Sequence, residues 1–434
     1  MTVTETIAAW CTQPHHFSER ALQLGRDAII DTLACLYAGR EDFSSRAVQQ
    51  AWQSQGEPPA AVVALLNGTA AHAIDYDDNF APGMSHASAV LVPALLAVAL
   101  EEQLSGQRLL EAYLVGLQAQ AFIGDMVSHA HYTAGWHGTS TVGCIGTAAG
   151  VAWLKGMDAA GIARTLSIAV SLASGVKGQF GTPLKPFHAG MAARNAVEAT
   201  QLAMTGMTGR LDILEREQGF YQLFAGAHFT PEKMASWLAD PLHIIESVGV
   251  MPKKHPCCGS THRVLDAIAD LQTEHHFHND DVEQVACKVG ISNWCNLAYS
   301  QPEDEMQARF SMNYCVNVML EKGTLSVADF TPSRVQQADP HRLARVSMAH
   351  WRAEEEAEQA DRPHIVTLTL KDGRVLRHQR LRAKGTLDEP FSAAERKEKF
   401  NDCCRQLVDR ENLWQRLQQI DNAESLAFLR PLLM

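Results

Sequence analysis

The sequence predicts a mainly α protein, in which a large all-helical domain carries a smaller inserted α/β domain. Charge is the first observation: residues 59–210 hold 16 charged side chains in 152 positions, whereas the other 282 positions hold 70. A β-rich pattern appears only after about residue 248, and a helix signal returns near residue 390. The low-charge stretch is therefore expected to form the interior of the helical domain.

The low-charge stretch contains segments that are apolar on all sides. Residues 26–39, RDAIIDTLACLYAG, predict a helix that the final glycine stops. Residues 87–100 lack charge and predict a helix surrounded by others. Gly143, Gly146 and Gly150 are predicted to be helix contact points, because no strand precedes them and no GK[ST] follows, as a phosphate loop requires.

The sequence pattern changes from helical to partly β-rich after residue 248. The segment DDVEQVACKVGI alternates like a half-buried strand, and HIVTLTLKDGRVLRHQ contains two β-rich runs around Asp372-Gly373, a strong hairpin signal. The same region holds a helix-like segment, MQARFSMNYCVNVMLEKG, and an acidic run, Glu354 to Glu358, which is expected to be a solvated helix face. These patterns predict a small α/β unit.

A second helical signal closes the chain. Ser392 and Glu395 form an S-x-x-E capping box ahead of ERKEKFNDCCRQLVDREN. We therefore expect the chain to return to the helical domain, which would contain residues 1–248 and 388–434. Residues 249–387 would form the inserted α/β domain.

Composition excludes several classes of partner. The net charge of −12 is the wrong sign for a surface that covers nucleic-acid phosphates. The first residues lack the basic segment and apolar core of a signal peptide, and the apolar run at 87–100 is too short to span a bilayer. The ten cysteines include no CxxC motif and suggest no disulfide framework. We expect a cytoplasmic protein that binds neither nucleic acid nor membrane.

Polar side chains within and just beyond the low-charge stretch are candidates for chemistry. Burying such groups unpaired costs several kcal/mol, so they must be neutralised, paired or placed around a ligand. Each one alone is compatible with an ordinary core hydrogen bond, but together they favour an acid/base pocket for an anion. They are Asp75, Asp77, Asp78, His86, His137, Lys185, His188, Lys253, His255 and His262.

Motifs for other chemistries are missing. The sequence contains no Walker A run, no HExxH, no GxSxG and no strand–GxGxxG–helix unit. His129 with His131, or Asp75 with Asp77, could ligate a divalent ion, yet neither pair supplies a recognisable ligand set. We therefore predict no metal and no cofactor.

Eight segments follow one another along the chain: DTLACLYAG, AHAIDYDD, SHASAVLVPALLAVAL, GWHGTSTVG, KPFHAGMAARNAV, KKHPCCGSTH, ARFSMNYCV and KGTLDEPFS. In this order they resemble the MmgE/PrpD family, a group of carboxylate dehydratases, decarboxylases and epimerases. The resemblance implies a helical domain built from both chain ends, an inserted α/β lid, a homodimer and a site between the domains. It places catalytic roles on Asp75, His86, His137, Lys185 and Lys253. The expected substrate-binding residues are Asn79, His188, His255, His262 and Arg309.

The sequence also departs from the family pattern near the expected pocket. Residues 137–139 read HGT where HPT is usual, and Gly259-Ser260 replaces a common Arg-Tyr pair. One extra residue lies between Asp75 and His86. These changes leave the substrate open.

We expect a cofactor-independent lyase that dehydrates or decarboxylates a small di- or tricarboxylate. Its chemistry would be proton transfer beside a carboxylate, with the developing charge stabilised by lysine and imidazole groups. Two alternatives remain: an epimerase of an iminodisuccinate-like dicarboxylate that uses the same groups, and a non-catalytic polycarboxylate-binding protein.

Overall fold

The computed structural model of the chain describes residues 1–53, 56–226, 244–359 and 362–434, with the backbone alone at residue 128. Helices dominate these residues, and the strands among them form one four-stranded sheet. The predicted mainly α class with a smaller α/β part is confirmed. Nowhere in the described ranges is a helix both long and apolar enough to cross a bilayer.

The helices are numbered here in chain order. Their bounds are α1 Val3–Cys11, α2 Glu19–Gly39, α3 Phe43–Ala51, α4 Ala60–Ala73, α5 Ala87–Glu101, α6 Gly106–Thr133, α7 Gly138–Leu154, α8 Ala159–Leu172, α9 Leu184–Met204, α10 Phe220–Ala225, α11 Ile244–Ser247, α12 Gly259–His275, α13 Ile291–Asn296, α14 Glu305–Arg309, α15 Met312–Lys322, α16 Pro332–Gln336, α17 Pro340–Ala344, α18 Ala353–Glu358, α19 Ala393–Cys403 and α20 Arg410–Leu417.

Small residues let the central helices α4, α5, α6, α7 and α9 pack closely. A Cβ at Gly146 would lie 2.5 Å from the Cα of Gln120, and a Cβ at Gly150 would lie 3.1 Å from the Cα of Gly116. Both contacts join α7 to α6. Gly143 faces the side chain of Val90 on α5 at ordinary contact distance. The three glycines are helix contact points, as predicted.

Gly39 ends α2 as predicted, but for a different reason. A glycine often stops a helix by adopting a left-handed conformation, but Gly39 is not among the glycines with positive φ, and the next residue, Arg40, has a right-handed φ of −63°. A Cβ at Gly39 would lie 2.0 Å from the carbonyl oxygen of Ala70. The glycine therefore permits close packing of α2 on α4.

The sheet has the strand order β2-β1-β3-β4. Its strands are β1 Val282–Val289, β2 Val346–His350, β3 His364–Leu370 and β4 Val375–Arg380. β1 pairs parallel with β2 and antiparallel with β3, and β3 pairs antiparallel with β4. Gly373, with φ +89°, lies in the turn of the predicted β3–β4 hairpin. The helix expected over residues 306–323 divides into α14 and α15, because Ser311 accepts a hydrogen bond from the Tyr314 amide and begins a new helix.

Two large hydrophobic clusters organise the described residues, beside a small third one around Val48, Leu65 and Leu66. One combines helices before residue 246 with residues of the C-terminal segment, among them Phe400, Leu417, Ile420 and Leu432. The other lies between Cys257 and Leu376. The predicted capping box at Ser392 is present and begins α19. We call α1–α11 with α19 and α20 the helical region, and α12–α18 with the sheet the α/β region; the division at residues 248 and 388 stays a prediction.

Candidate active site

Several helix ends in the helical region meet at one buried place. Asp75 follows the end of α4, His86 immediately precedes α5, and His137 immediately precedes α7. Lys185 is the second residue of α9. The amide groups at a helix N-terminus carry positive partial charge, so the meeting of three such ends favours an anion.

The carboxylate of Asp75 lies between two ammonium groups. Lys185 Nζ is 2.5 Å from Asp75 Oδ1, and Lys253 Nζ is 3.2 Å from Asp75 Oδ2. Lys253 Nζ also donates a hydrogen bond to the Asp75 carbonyl oxygen at 2.9 Å. Burial alone would raise the pKa of Asp75, but Lys185 and Lys253 hold it well below its ordinary value. Asp75 is therefore ionised.

Lys253 arrives from a distant segment. The backbones of Asn79 and Met251 pair through two hydrogen bonds of 2.8 Å, and Lys253 follows two residues later. Burial would lower the pKa of Lys253, but Asp75 and Asp77 raise it above its ordinary value. The fully buried ammonium group thus stays charged.

His72 connects this ion pair to a second carboxylate. Lys185 Nζ lies 2.9 Å from His72 Nε2, and an ammonium group can only donate, so Nε2 accepts. His72 Nδ1 therefore carries the proton that it donates to Asp77 Oδ2 at 2.7 Å. His86 Nδ1 donates to the Asp78 carbonyl oxygen at 2.7 Å, which leaves Nε2 as the free acceptor of a neutral ring.

A pair of histidines lies beside the ion pair. The Nδ1 atoms of His137 and His188 are 3.1 Å apart, so one ring donates to the other. The buried His137 Nε2 has no hydrogen-bond partner. The His137 ring lies 5.8 Å from the His72 ring and meets Phe180 edge-on at 4.9 Å. A buried imidazole nitrogen without a partner is suited to exchange a proton with a bound molecule.

Burial favours the neutral form of these imidazoles. It lowers the pKa of His86 and His137 well below the ordinary value, and neighbouring His72 and Lys185 lower that of His137 further. Burial, then His72 and Lys185, lower the pKa of His188 to about 4. Burial has the opposite effect on Asp78: together with nearby Asp77 it raises the pKa of that carboxyl to about 7, although Ser88 donates hydrogen bonds to it.

The expected substrate-binding residues are placed differently from one another. His188 joins the cluster through His137. Asn79 lies at its border, where its side chain packs against Gly259 at the start of α12. Arg309 Nη1 is 3.8 Å from Asp42 Oδ2, a contact between the α/β and helical regions.

His255 and His262 lie elsewhere. Their rings are 5.5 Å apart, and His262 Nε2 is 3.2 Å from the Cys257 carbonyl oxygen. Among the contacts that the structure describes, neither ring touches Asp75 or Lys253. Their role in substrate binding stays a prediction.

Sequence reasoning missed three residues of the cluster. His72 bridges Lys185 and Asp77, and the rings of Phe180 and Phe310 each lie 5.5 Å from Lys185 Nζ. His72 lies in the last turn of the apolar helix α4, just before the acidic residues Asp75, Asp77 and Asp78, and that proximity was an available signal. We find no comparable signal for the two phenylalanines.

A metal ion could be considered at His72, Asp77 and His86, whose ligand atoms lie within 4.8 Å of one another. The donor set argues against it. Both imidazole Nδ1 atoms are already hydrogen-bond donors, and an added dication would face the ammonium groups of Lys185 and Lys253. These residues fit a hydrogen-bonded cluster better than a metal centre.

Comparison with known proteins agrees with this architecture. The family model of the MmgE/PrpD N-terminal domain matches residues 5–232, and that of the MmgE/PrpD C-terminal domain matches residues 255–423. The chain belongs to the MmgE/PrpD family. Similar MmgE/PrpD relatives include cis-aconitate decarboxylase of Homo sapiens, 26% identical over 95% of this chain and 89% of that protein. The Mus musculus enzyme of the same name is 27% identical over 98% and 91%. The cis-aconitate decarboxylase-like protein oryM of Aspergillus oryzae is 23% identical over 97% and 93%.

Proposed function

We propose that this chain is a cofactor-independent lyase that removes carbon dioxide or water from a small di- or tricarboxylate. The observation that carries the proposal is the buried group of Asp75, Lys185, Lys253 and His137, in which two cations and an unpaired imidazole nitrogen lie together. The full-length similarity to cis-aconitate decarboxylases supports the same reaction class.

Substrate binding follows from the charges. With neutral imidazoles, the two lysines are balanced by Asp75 and Asp77. A polycarboxylate adds negative charge, which is stabilised by Lys185, Lys253 and the helix N-termini. The same negative charge raises the pKa of nearby imidazoles and so draws a proton onto His86 or His137.

The catalytic step then uses that proton. In decarboxylation the carbon–carboxylate bond breaks, carbon dioxide leaves, and the electron pair remains on the substrate, where Lys185 and Lys253 stabilise it. Protonated His137 transfers its proton to that carbon. In dehydration a neutral imidazole takes the proton beside the carboxylate, and a protonated one delivers a proton to the departing hydroxyl.

His188 has a supporting role in this proposal. Its Nδ1 shares a hydrogen with Nδ1 of His137, which holds the His137 ring in place and leaves Nε2 for the substrate. Asp75 lies between the two lysines and keeps Lys253 ionised. None of these steps requires a cofactor.

Proton NMR of the purified chain in deuterium oxide tests the proposal. The probes are cis-aconitate, citrate, 2-methylcitrate and iminodisuccinate. New alkene signals or released carbon dioxide support the lyase, and the His137→Asn variant should then lose the activity. Deuterium uptake with inversion, and no other product, would replace the lyase by an epimerase. Saturable binding with no chemical change of any probe would indicate a binding protein.

A further inference from the structure

The loop that carries Asp75 is held through its backbone carbonyls. The Asp75 carbonyl accepts from Lys253 at 2.9 Å, and the Asp78 carbonyl accepts from His86 at 2.7 Å. Between them, the Tyr76 carbonyl accepts from Lys399 Nζ at 2.8 Å. Lys253 and His86 belong to the candidate site, but Lys399 does not. It comes from α19, more than 300 residues further along the chain.

Asp75 needs such support because of its backbone conformation. Its φ of +52° lies in the left-handed region, which a residue with a side chain adopts at a cost. Such conformations persist where the surroundings hold them, and they occur often at functional sites. Here the left-handed turn directs the Asp75 carboxylate to Lys185 and Lys253.

Lys399 is itself held in one position. Its Nζ lies 2.7 Å and 2.9 Å from the two carboxylate oxygens of Asp31 on α2, and 4.3 Å from the centre of the Tyr76 ring. The side chain is only 4% exposed. Tyr76 is fixed at its other end, because its hydroxyl donates to the Lys254 carbonyl oxygen at 3.1 Å. The buried ion pair of Asp31 on α2 and Lys399 on α19 thus holds Tyr76, the residue between Asp75 and Asp77.

We propose that Lys399, supported by Asp31, is a positioning residue that holds Asp75 between Lys185 and Lys253. The pair touches neither the lysines of the site nor His137 in the contacts of the described residues, and it acts through the Tyr76 carbonyl. This proposal rests on the proposed function for its kinetic test.

The first test is Lys399→Met, which keeps the length of the side chain and removes the ammonium group. Displacement of a reacting group by about 1 Å costs roughly 10²-fold in rate, so kcat should fall by about that factor. Lys397→Met is the matched control, because Lys397 lies on the same helix, is partly exposed and pairs with Glu411. The control should retain wild-type kcat.

The pH profile separates positioning from simple stabilisation. The groups that face Asp75 come from four places: Lys185 from α9, Lys253 from the segment between α11 and α12, His72 from α4, and His86 from the residue before α5. If the loop shifts in Lys399→Met, Asp75 loses its two lysines while remaining buried, and its pKa rises. The acid limb of kcat/KM should then move to higher pH. An unmoved profile would overturn the proposal.

A double variant sharpens the distinction. Lys399→Met alone leaves Asp31 as an unpaired buried charge, whereas Asp31→Asn with Lys399→Met removes that charge. The melting temperature should recover in the double variant while kcat stays low, because the Tyr76 carbonyl still lacks its donor. Recovery of both would show a purely structural role.

Failure of the proposed function remains distinguishable from failure of this inference. If the wild-type chain converts none of the carboxylates, the proposed function fails, and the crystal structure of Lys399→Met decides the inference instead. An Asp75 moved away from Lys185 or Lys253 supports it. An Asp75 that keeps its left-handed backbone and both lysine contacts overturns it.

Discussion

The molecule buries two groups of histidines, and their surroundings differ. In the helical region His72, His86 and His137 lie with two lysines and two ionised aspartates contributed by several helix ends. At the start of the α/β region, His262 on α12 and His255 in the segment just before α12 lie beside Cys257 and its backbone carbonyl. Burial lowers the pKa of His255 as it does that of His137. A buried histidine is therefore by itself a poor marker of a functional site. Paired charges around the histidine are a better marker.

Substituting one histidine from each group should give the largest contrast. His137→Asn should reduce kcat by about 10²-fold or more, the usual effect of losing an acid/base group, with little change in melting temperature. His262→Asn should lower the melting temperature, because a buried hydrogen bond contributes about 1 kcal/mol or more, while kcat stays near the wild-type value. Steady-state kinetics and thermal unfolding measure both.

Equal kinetic losses in these two variants would break the comparison. They would show that the α/β group reaches the substrate after all, as the sequence predicted for His255 and His262. Retained kcat in His137→Asn would remove that residue from the catalytic step.

The lysines come next in expected effect. Lys185→Met or Lys253→Met removes one of the two cations on Asp75 and weakens carboxylate binding, so KM should rise about tenfold or more, consistent with the loss of a charge-assisted hydrogen bond. Lys155→Met is a suitable control, since Lys155 pairs with Glu102 far from the cluster in an ordinary surface contact. Initial rates over a range of substrate concentrations below and above KM give the measurement. Unchanged KM in both variants would exclude the lysines from binding.

The sequence predicted much of this site because charge is rare in the central helices. Asp75, His86, His137 and Lys185 stand out against an apolar background, and each marks a helix end. His72 did not stand out, because a histidine inside an alanine-rich helix is equally compatible with an ordinary core hydrogen bond. Only the structure shows that His72 contacts Lys185 Nζ as well as Asp77.

The contacts of a side chain were harder to predict than its place along the chain. Lys253 and His255 are two residues apart, yet the first contacts Asp75 and the second lies with His262. Both residues lie in the segment between the helical region and the α/β region. Only the path of the backbone in the structure shows that their side chains contact different groups. The fold shows the same limit at Gly39, where the helix end was predicted and the close approach to Ala70 was not.

Acid should destabilise the protein through both histidine groups. His188 has a pKa of about 4 in the folded chain against an ordinary 6.5, so the unfolded state binds more protons between these values. The free energy of unfolding should therefore fall as pH decreases from 6.5 towards 4. Urea unfolding at several pH values measures this slope. His188→Asn and His255→Asn should each flatten it, but only His188→Asn should also alter the pH dependence of kcat, because His188 contacts His137.

Chelation should have the smallest effect. His72, Asp77 and His86 form the group within the described residues whose ligand atoms are close enough for an ion, and the α/β histidines form none there. Since His72 and His86 use their Nδ1 hydrogens as donors and two lysines lie next to them, we expect prolonged treatment with EDTA to leave kcat unchanged within about twofold. Activity that disappears with EDTA and returns with one added divalent ion would contradict this. The cluster would then be a metal centre, and His86→Asn would be expected to abolish ion binding measured by calorimetry.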